Sequence, residues 1–227
     1  MVIARARGRK MSWFSRLLLF LILLPGLAVA EGAAWEPVHV ETSLQVHRRP
    51  YAGSELLEIR GVLRVQATLN ALMGLLRDAD FNRHWVYRSG GARILRENGY
   101  RQAWVYGVVD APWPMRDRDT VVRFDYRQHP DSRVIHIAIS NFPDFTERVD
   151  GYVRVPDFGG FWELRPQPAG WVQVTYQVYG DPGGWIPVWV ANYAAATSVI
   201  RTLQALPAAV ERYRGARGDL VIEPPAE

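Results

Sequence analysis

Few side chains in this sequence are spaced for catalysis. The five histidines, His39, His47, His84, His129 and His136, form no H-E-x-x-H or comparable ligand set. Asp80 and His84 stand four apart and could share a helix face. Two ligands without a third are a weak metal site, and a solvated pair is the plainer account. Asp144, Glu147 and Asp150 cluster like a solvated loop edge rather than a tuned acid/base pair. No G-x-S-x-G elbow, P-loop or dinucleotide fingerprint occurs. With no cysteine, disulfides, thiolate metal sites and lipoprotein acylation are also excluded. No catalytic residue, metal or cofactor is therefore expected.

The densest charge lies in DAPWPMRDRD, Asp110 to Asp119. Pro112 and Pro114 fix φ and stiffen the tip around Trp113. Trp113 and Met115 could dip into a membrane interface, where an amphipathic indole sits well. Arg118 has two readings, a guanidinium facing a polar ligand group or a partner for Asp119. As a self-neutralising surface pair it would contribute at most about 1 kcal/mol. Arg154 alternates with Tyr152: outward it is solvated, inward it needs a partner such as Asp119 or a ligand oxygen.

The elements that must position these residues are mostly strands with period-two patterning. Val38 to His47 and Leu56 to Gln66 come first, separated by a turn at Arg49–Gly53. Thr68 caps a short helix carrying Leu69, Leu72, Met73, Leu75 and Leu76. Ala92 to Glu97 and Tyr100 to Val109 flank an Asn98-Gly99 hairpin signal. Thr120 to Arg127 alternates Thr120, Val122, Phe124 and Tyr126 against Val121, Arg123, Asp125 and Arg127. Val134 to Ser140, Tyr152 to Val155, Phe161 to Arg165 and Trp171 to Tyr179 complete an antiparallel series.

After Asp181-Pro182-Gly183-Gly184, residues Ile186 to Arg214 read as one long helix, kinked or split at Pro207. Its predicted apolar face carries Trp189, Ala196, Val199, Leu203, Leu206 and Val210. The pattern predicts an α+β fold with the long helix packed across a curved antiparallel sheet. The gap between the layers is either a filled core or an open tunnel, and composition permits both.

The first thirty residues have the order of a secretory leader. Arg5, Arg7, Arg9, Lys10 and Arg16 precede the apolar run Leu17 to Leu24, and Ala28-Val29-Ala30 forms a cleavage site. Met11 is an alternative start, and an uncleaved anchor is the competing reading, though the run is short for a bilayer span of about 20 residues. Export to a periplasm with cleavage after Ala30 is the expectation. The leader holds five of the 27 basic residues and none of the 23 acidic ones. The remainder therefore has 22 against 23, a formal charge of −1, and lacks the basic footprint of nucleic-acid binding. Residues 31–214 suit one domain, and 215–227 read as a frayed tail.

Five motifs in sequence order are similar to those of the START (StAR-related lipid-transfer) domain family. They are Pro112-Trp113-Pro114-x-x-x-Arg118-Asp119, Gly151-Tyr152-Val153-Arg154, Gly160-Phe161-Trp162-Glu163-Leu164, Thr175-Tyr176, and Asp181-Pro182-Gly183-Gly184-Trp185-Ile186-Pro187-x-Trp189-x-x-Asn192. The likeness spans roughly Trp35 to Tyr213. It implies a helix-grip fold with an internal tunnel for one lipid-like molecule, gated by a loop and the last helix. It places DAPWPMRDRD at the tunnel mouth and aligns Arg118 with the family's Arg-Asp pair. The DPGGWIP joint then serves either as a plain strand-to-helix connection or also as a hinge, and Asn192 bonds either the sheet or a ligand.

The leading expectation is a monomeric carrier of one lipid or similar hydrophobic molecule, touching membranes transiently and binding no nucleic acid. Exposing sixteen methylenes to water costs roughly 13 kcal/mol at about 0.8 each, so the lining must be apolar. Expected ligand contacts are Arg118, Val122, Phe124, Tyr126, Arg154, Val174, Tyr176, Asn192, Ala196, Val199, Leu203 and Leu206, with Trp113, Met115 and Trp185 at the gate. Two alternatives stand beside it. One is an enzyme using the same cavity on a hydrophobic substrate, and the other is an interaction protein whose core is filled.

Overall fold

Alternation of apolar and polar residues builds ten strands in the computed structural model, which describes residues 33–51, 53–218 and 221–224. The leader and its cleavage site lie outside the described residues. The strands are β1 Glu36–Val40, β2 Leu44–Pro50, β3 Leu57–Gln66, β4 Ser89–Asn98, β5 Gln102–Val109, β6 Arg118–Gln128, β7 Ile135–Asn141, β8 Val153–Arg154, β9 Asp157–Gln167 and β10 Trp171–Asp181. Helix α1 spans Leu69–Arg77 and helix α2 spans Val188–Val210. Strands run β1-β2-β3-β10-β9-β7-β6-β5-β4 in one antiparallel sheet, while β8 pairs parallel to β6. The long helix across this sheet is the helix-grip arrangement.

Thr68 caps α1 by accepting the Ala71 amide at 3.1 Å, as the sequence predicts. Four other expectations change. The single strand predicted over 38–47 is a hairpin of β1 and β2, turned where the Glu41 amide donates to the Leu44 carbonyl at 2.7 Å. Helix α2 begins at Val188, with Pro187 in its cap position, and continues through Pro207. The missing Pro207 amide is outweighed by burial of Leu203, Leu206 and Val210 on both sides of it. Trp189, expected on the buried face, is 74% exposed, whereas Ala191, Thr202 and Ala209 are buried. The tail is docked at Ile222 and Glu223. The Glu223 carboxylate accepts the Leu69 and Asn70 amides at 3.0 and 2.7 Å, so an acidic side chain closes the N-terminus of α1.

One close approach fixes where α2 lies. A Cβ added at Gly61 of β3 would stand 2.2 Å from Leu203 Cδ1 and 2.9 Å from Val199 Cγ1. Only glycine lets the helix press onto this strand. Around that contact Leu44, Val46, Ile59, Leu63, Val174, Leu164, Leu203 and Leu206 form a dry core with α1. The other half of the sheet, β4 to β6, is not reached by α2 in the same way.

Candidate ligand-binding cavity

The space left between β4–β6, β10 and the first half of α2 is a cavity of about 620 Å³. The question that composition left open therefore has a divided answer: the gap is filled under the second half of α2 and open under the first.

Strand β6 supplies the main wall. Arg118, Thr120, Val122, Phe124 and Tyr126 all face the cavity. At roughly 3.3 Å per residue this row runs about 26 Å along the strand. Its register with β5 brings in Ala103, Val105 and Gly107, which are small enough to leave the space empty. Tyr176 and Val178 close it from β10, and Val190, Ala194 and Val199 from α2. Tyr176 is held flat by Trp162, whose ring lies 3.8 Å away and nearly parallel, and Trp162 in turn packs on Trp85. Burial raises the pKa of Tyr176 and pushes that of Tyr126 up to about 12, so both phenols stay protonated and able to donate.

Six of the twelve expected contacts line this space: Arg118, Val122, Phe124, Tyr126, Tyr176 and Val199. The other six do not. Val174, Leu203 and Leu206 are in the filled core, since period two and helical phase identify a face but not the position along it. Ala196 packs against the same core. Asn192 accepts the Leu57 amide at 2.9 Å and donates to the Glu55 carbonyl at 3.2 Å, tying α2 to the start of β3.

Arg154 is the clearest correction. It lies inward but away from the cavity, gripping Asp119 through Nε–Oδ1 at 3.0 Å and Nη2–Oδ2 at 2.9 Å. Its remaining donors meet the carbonyls of Pro143, Thr146 and Glu147. The hydrogen bonds to Asp119 raise its pKa despite burial. Arg118, freed from Asp119 by this arrangement, turns into the cavity instead.

The rim is aromatic. The Asp117 carboxylate accepts the Ala111 amide at 2.8 Å and closes the β5–β6 loop. Met115 points to the cavity while Trp113 is 92% exposed. Asp181 accepts the Gly183 amide at 2.8 Å, shaping the joint into α2 with Gly183 and Gly184 at positive φ. Trp185 follows, also 92% exposed, and Trp189 and Tyr193 continue outward at four-residue intervals. The joint and the loop are neighbours. A side-chain atom at Gly183 would lie 3.2 Å from Val153 Cγ1, and Val153 pairs with Arg118.

Residues missed by sequence reasoning include Ala103 and Val105 of the wall, while Thr120 was placed on the right face but not named as a contact. The alternation of the predicted strand Tyr100 to Val109 carried that signal for β5. Trp162, which supports Tyr176, was visible only as part of a motif.

Comparison with known proteins places this architecture. A STAR-related lipid transfer protein from Xanthomonas axonopodis shares 33% identity and a TM-score of 0.72, covering 78% of this chain and 98% of the other. The chain belongs to the START family. A START protein of this kind also has a relative in Pseudomonas aeruginosa, an uncharacterised protein 32% identical over 187 residues, covering 82% of this chain and 91% of that one. Human phosphatidylcholine transfer protein is 26% identical over 195 residues, 83% of this chain and 88% of its own. Human StAR-related lipid transfer protein 5, at 17% identity and a TM-score of 0.69, shares the fold. No family model matches the chain.

Proposed function

We propose that this START protein carries one lipid-like molecule in the cavity, in the periplasm, after export and cleavage behind Ala30. The observation that carries the reading is the largely apolar cavity of about 620 Å³, within the roughly 300–1,000 Å³ that hold one such ligand. The names of the Xanthomonas and human relatives, lipid transfer and phosphatidylcholine transfer, support a lipid cargo. The leader pattern supports export.

Loading and release then occur at the aromatic rim. Trp113, Trp185, Trp189 and Tyr193 combine apolar rings with polar N–H or O–H groups, which suits the headgroup layer of a membrane. The chain acts as a monomeric carrier rather than a catalyst, and the phenols and Arg118 serve binding.

Native mass spectrometry of the protein purified from its own periplasm, before and after incubation with liposomes, tests this reading. A one-to-one adduct that extracts as a lipid is expected. A bare mass under both conditions overturns the carrier reading. N-terminal sequencing of the same sample is expected to begin at Glu31, and retention of the leader overturns the export assignment.

A further inference from the structure

Arg118 carries more information about the cargo than the apolar wall does. Its side chain is buried, 7% exposed, and faces the cavity. Nη1 donates to the Arg116 carbonyl. Among the described residues Nε has no partner and no carboxylate forms an ion pair with Arg118. The contrast with Arg154 is informative. Arg154 uses its Nε and Nη2 edge to grip both oxygens of Asp119, whereas the Nε of Arg118, also buried, is left without a partner. The nearest acids are already engaged, Asp119 by Arg154 and Asp117 by the Ala111 amide.

We propose that Arg118 is a clamp for a planar oxyanion, and that the cargo is a single-chain amphiphile with one monoanionic head, a long-chain carboxylic acid. This rests on the carrier reading and narrows it. A carboxylate offers two coplanar oxygens at the spacing of the guanidinium edge. Arg116 and Asp117, both of which act on Arg118, oppose each other in sign, so one positive charge is left to meet a single negative charge on the head. Burial and the neighbouring Arg116 lower the pKa of Arg118, so an anion in contact relieves a disfavoured charge. Size agrees. The volume of about 620 Å³ is that of a pocket for one small ligand. The chain then runs along Val122 and Phe124 toward Tyr126. The head stays beside the rim, where β8 and the α2 joint meet β6.

The test is calorimetric titration of the purified, delipidated protein with hexadecanoate, hexadecan-1-ol and dipalmitoyl phosphatidylcholine vesicles. Hexadecanoate is expected to bind at least about tenfold more tightly than the alcohol, as a charge-assisted hydrogen bond predicts. Arg118→Gln should erase that preference, bringing the acid and alcohol affinities together, and Arg118→Lys should keep part of it because the charge remains without the fork. Equal affinity for acid and alcohol in the wild type overturns the clamp, as does an unchanged preference in Arg118→Gln. If that variant does not fold, the wild-type ratio decides alone. Capture of phosphatidylcholine but not of the acid also overturns the clamp and leaves lipid carriage standing. Retention of none of the three probes overturns both.

Discussion

Asp119 and Arg154 face each other through two hydrogen bonds with both side chains 1% exposed, and the contact joins β6 to β8. Each is tolerable in the interior only because of the other. Asp119→Asn or Arg154→Met should therefore cost about 3–5 kcal/mol, read from urea denaturation. Replacing both together by apolar residues should cost less than either alone. Additive losses would show that the pair is not a unit.

Gly61 tests the placement of the long helix. Gly61→Val should destabilise by about 1–3 kcal/mol, because Leu203 and Val199 occupy the volume of the added side chain. A second change, Leu203→Ala, should recover part of that loss. An unaltered urea midpoint for Gly61→Val would mean that α2 does not press on β3 as described.

The cavity itself can be filled from one side. Val105 lines it from β5 beside Val122. Val105→Trp is expected to abolish the lipid adduct in native mass spectrometry while lowering stability by less than about 1.5 kcal/mol, since the new ring enters empty space. A retained adduct would place the ligand elsewhere.

The rim predicts membrane binding without a change in fold. Trp113→Ala combined with Trp185→Ala should weaken sedimentation with phospholipid vesicles several-fold and leave thermal stability unchanged, because both rings are 92% exposed. Equal sedimentation would remove the rim as the contact surface.

Asp78 gives a pH dependence with a defined sign. The Tyr213 hydroxyl donates to its carboxylate at 2.6 Å and holds the pKa below the ordinary 3.8. A depressed carboxylate stabilises the fold above its unfolded pKa and loses that contribution as pH falls through the folded value. Tyr213→Phe should therefore be less stable than wild type at neutral pH, with the gap closing below about pH 4. A gap independent of pH would show that the Tyr213 ring, not the hydrogen bond, is what matters.

Much of the frame was legible in the residues. Period two on Thr120, Val122, Phe124 and Tyr126 identified a shared face, and that face lines the cavity. Thr68 announced α1 through a local bond. What stayed hidden depends on distances between elements. Val174 and Tyr176 share a face of β10, yet one is in dry core and the other on the cavity, because α2 crosses only part of the sheet. The two readings of Arg118 separated only once Arg154 was seen to occupy Asp119. Glu223 capping α1 from 154 positions away has no sequence signature.

The partition of the helix–sheet gap also separates two kinds of substitution. Changes at Gly61, Val174, Leu203 or Leu206 fall on packed core alone, whereas changes at Val105, Val122 or Phe124 touch the core and also reshape the cavity. The size of the space is thus adjustable from β5 and β6 without altering the contact that seats α2 on β3.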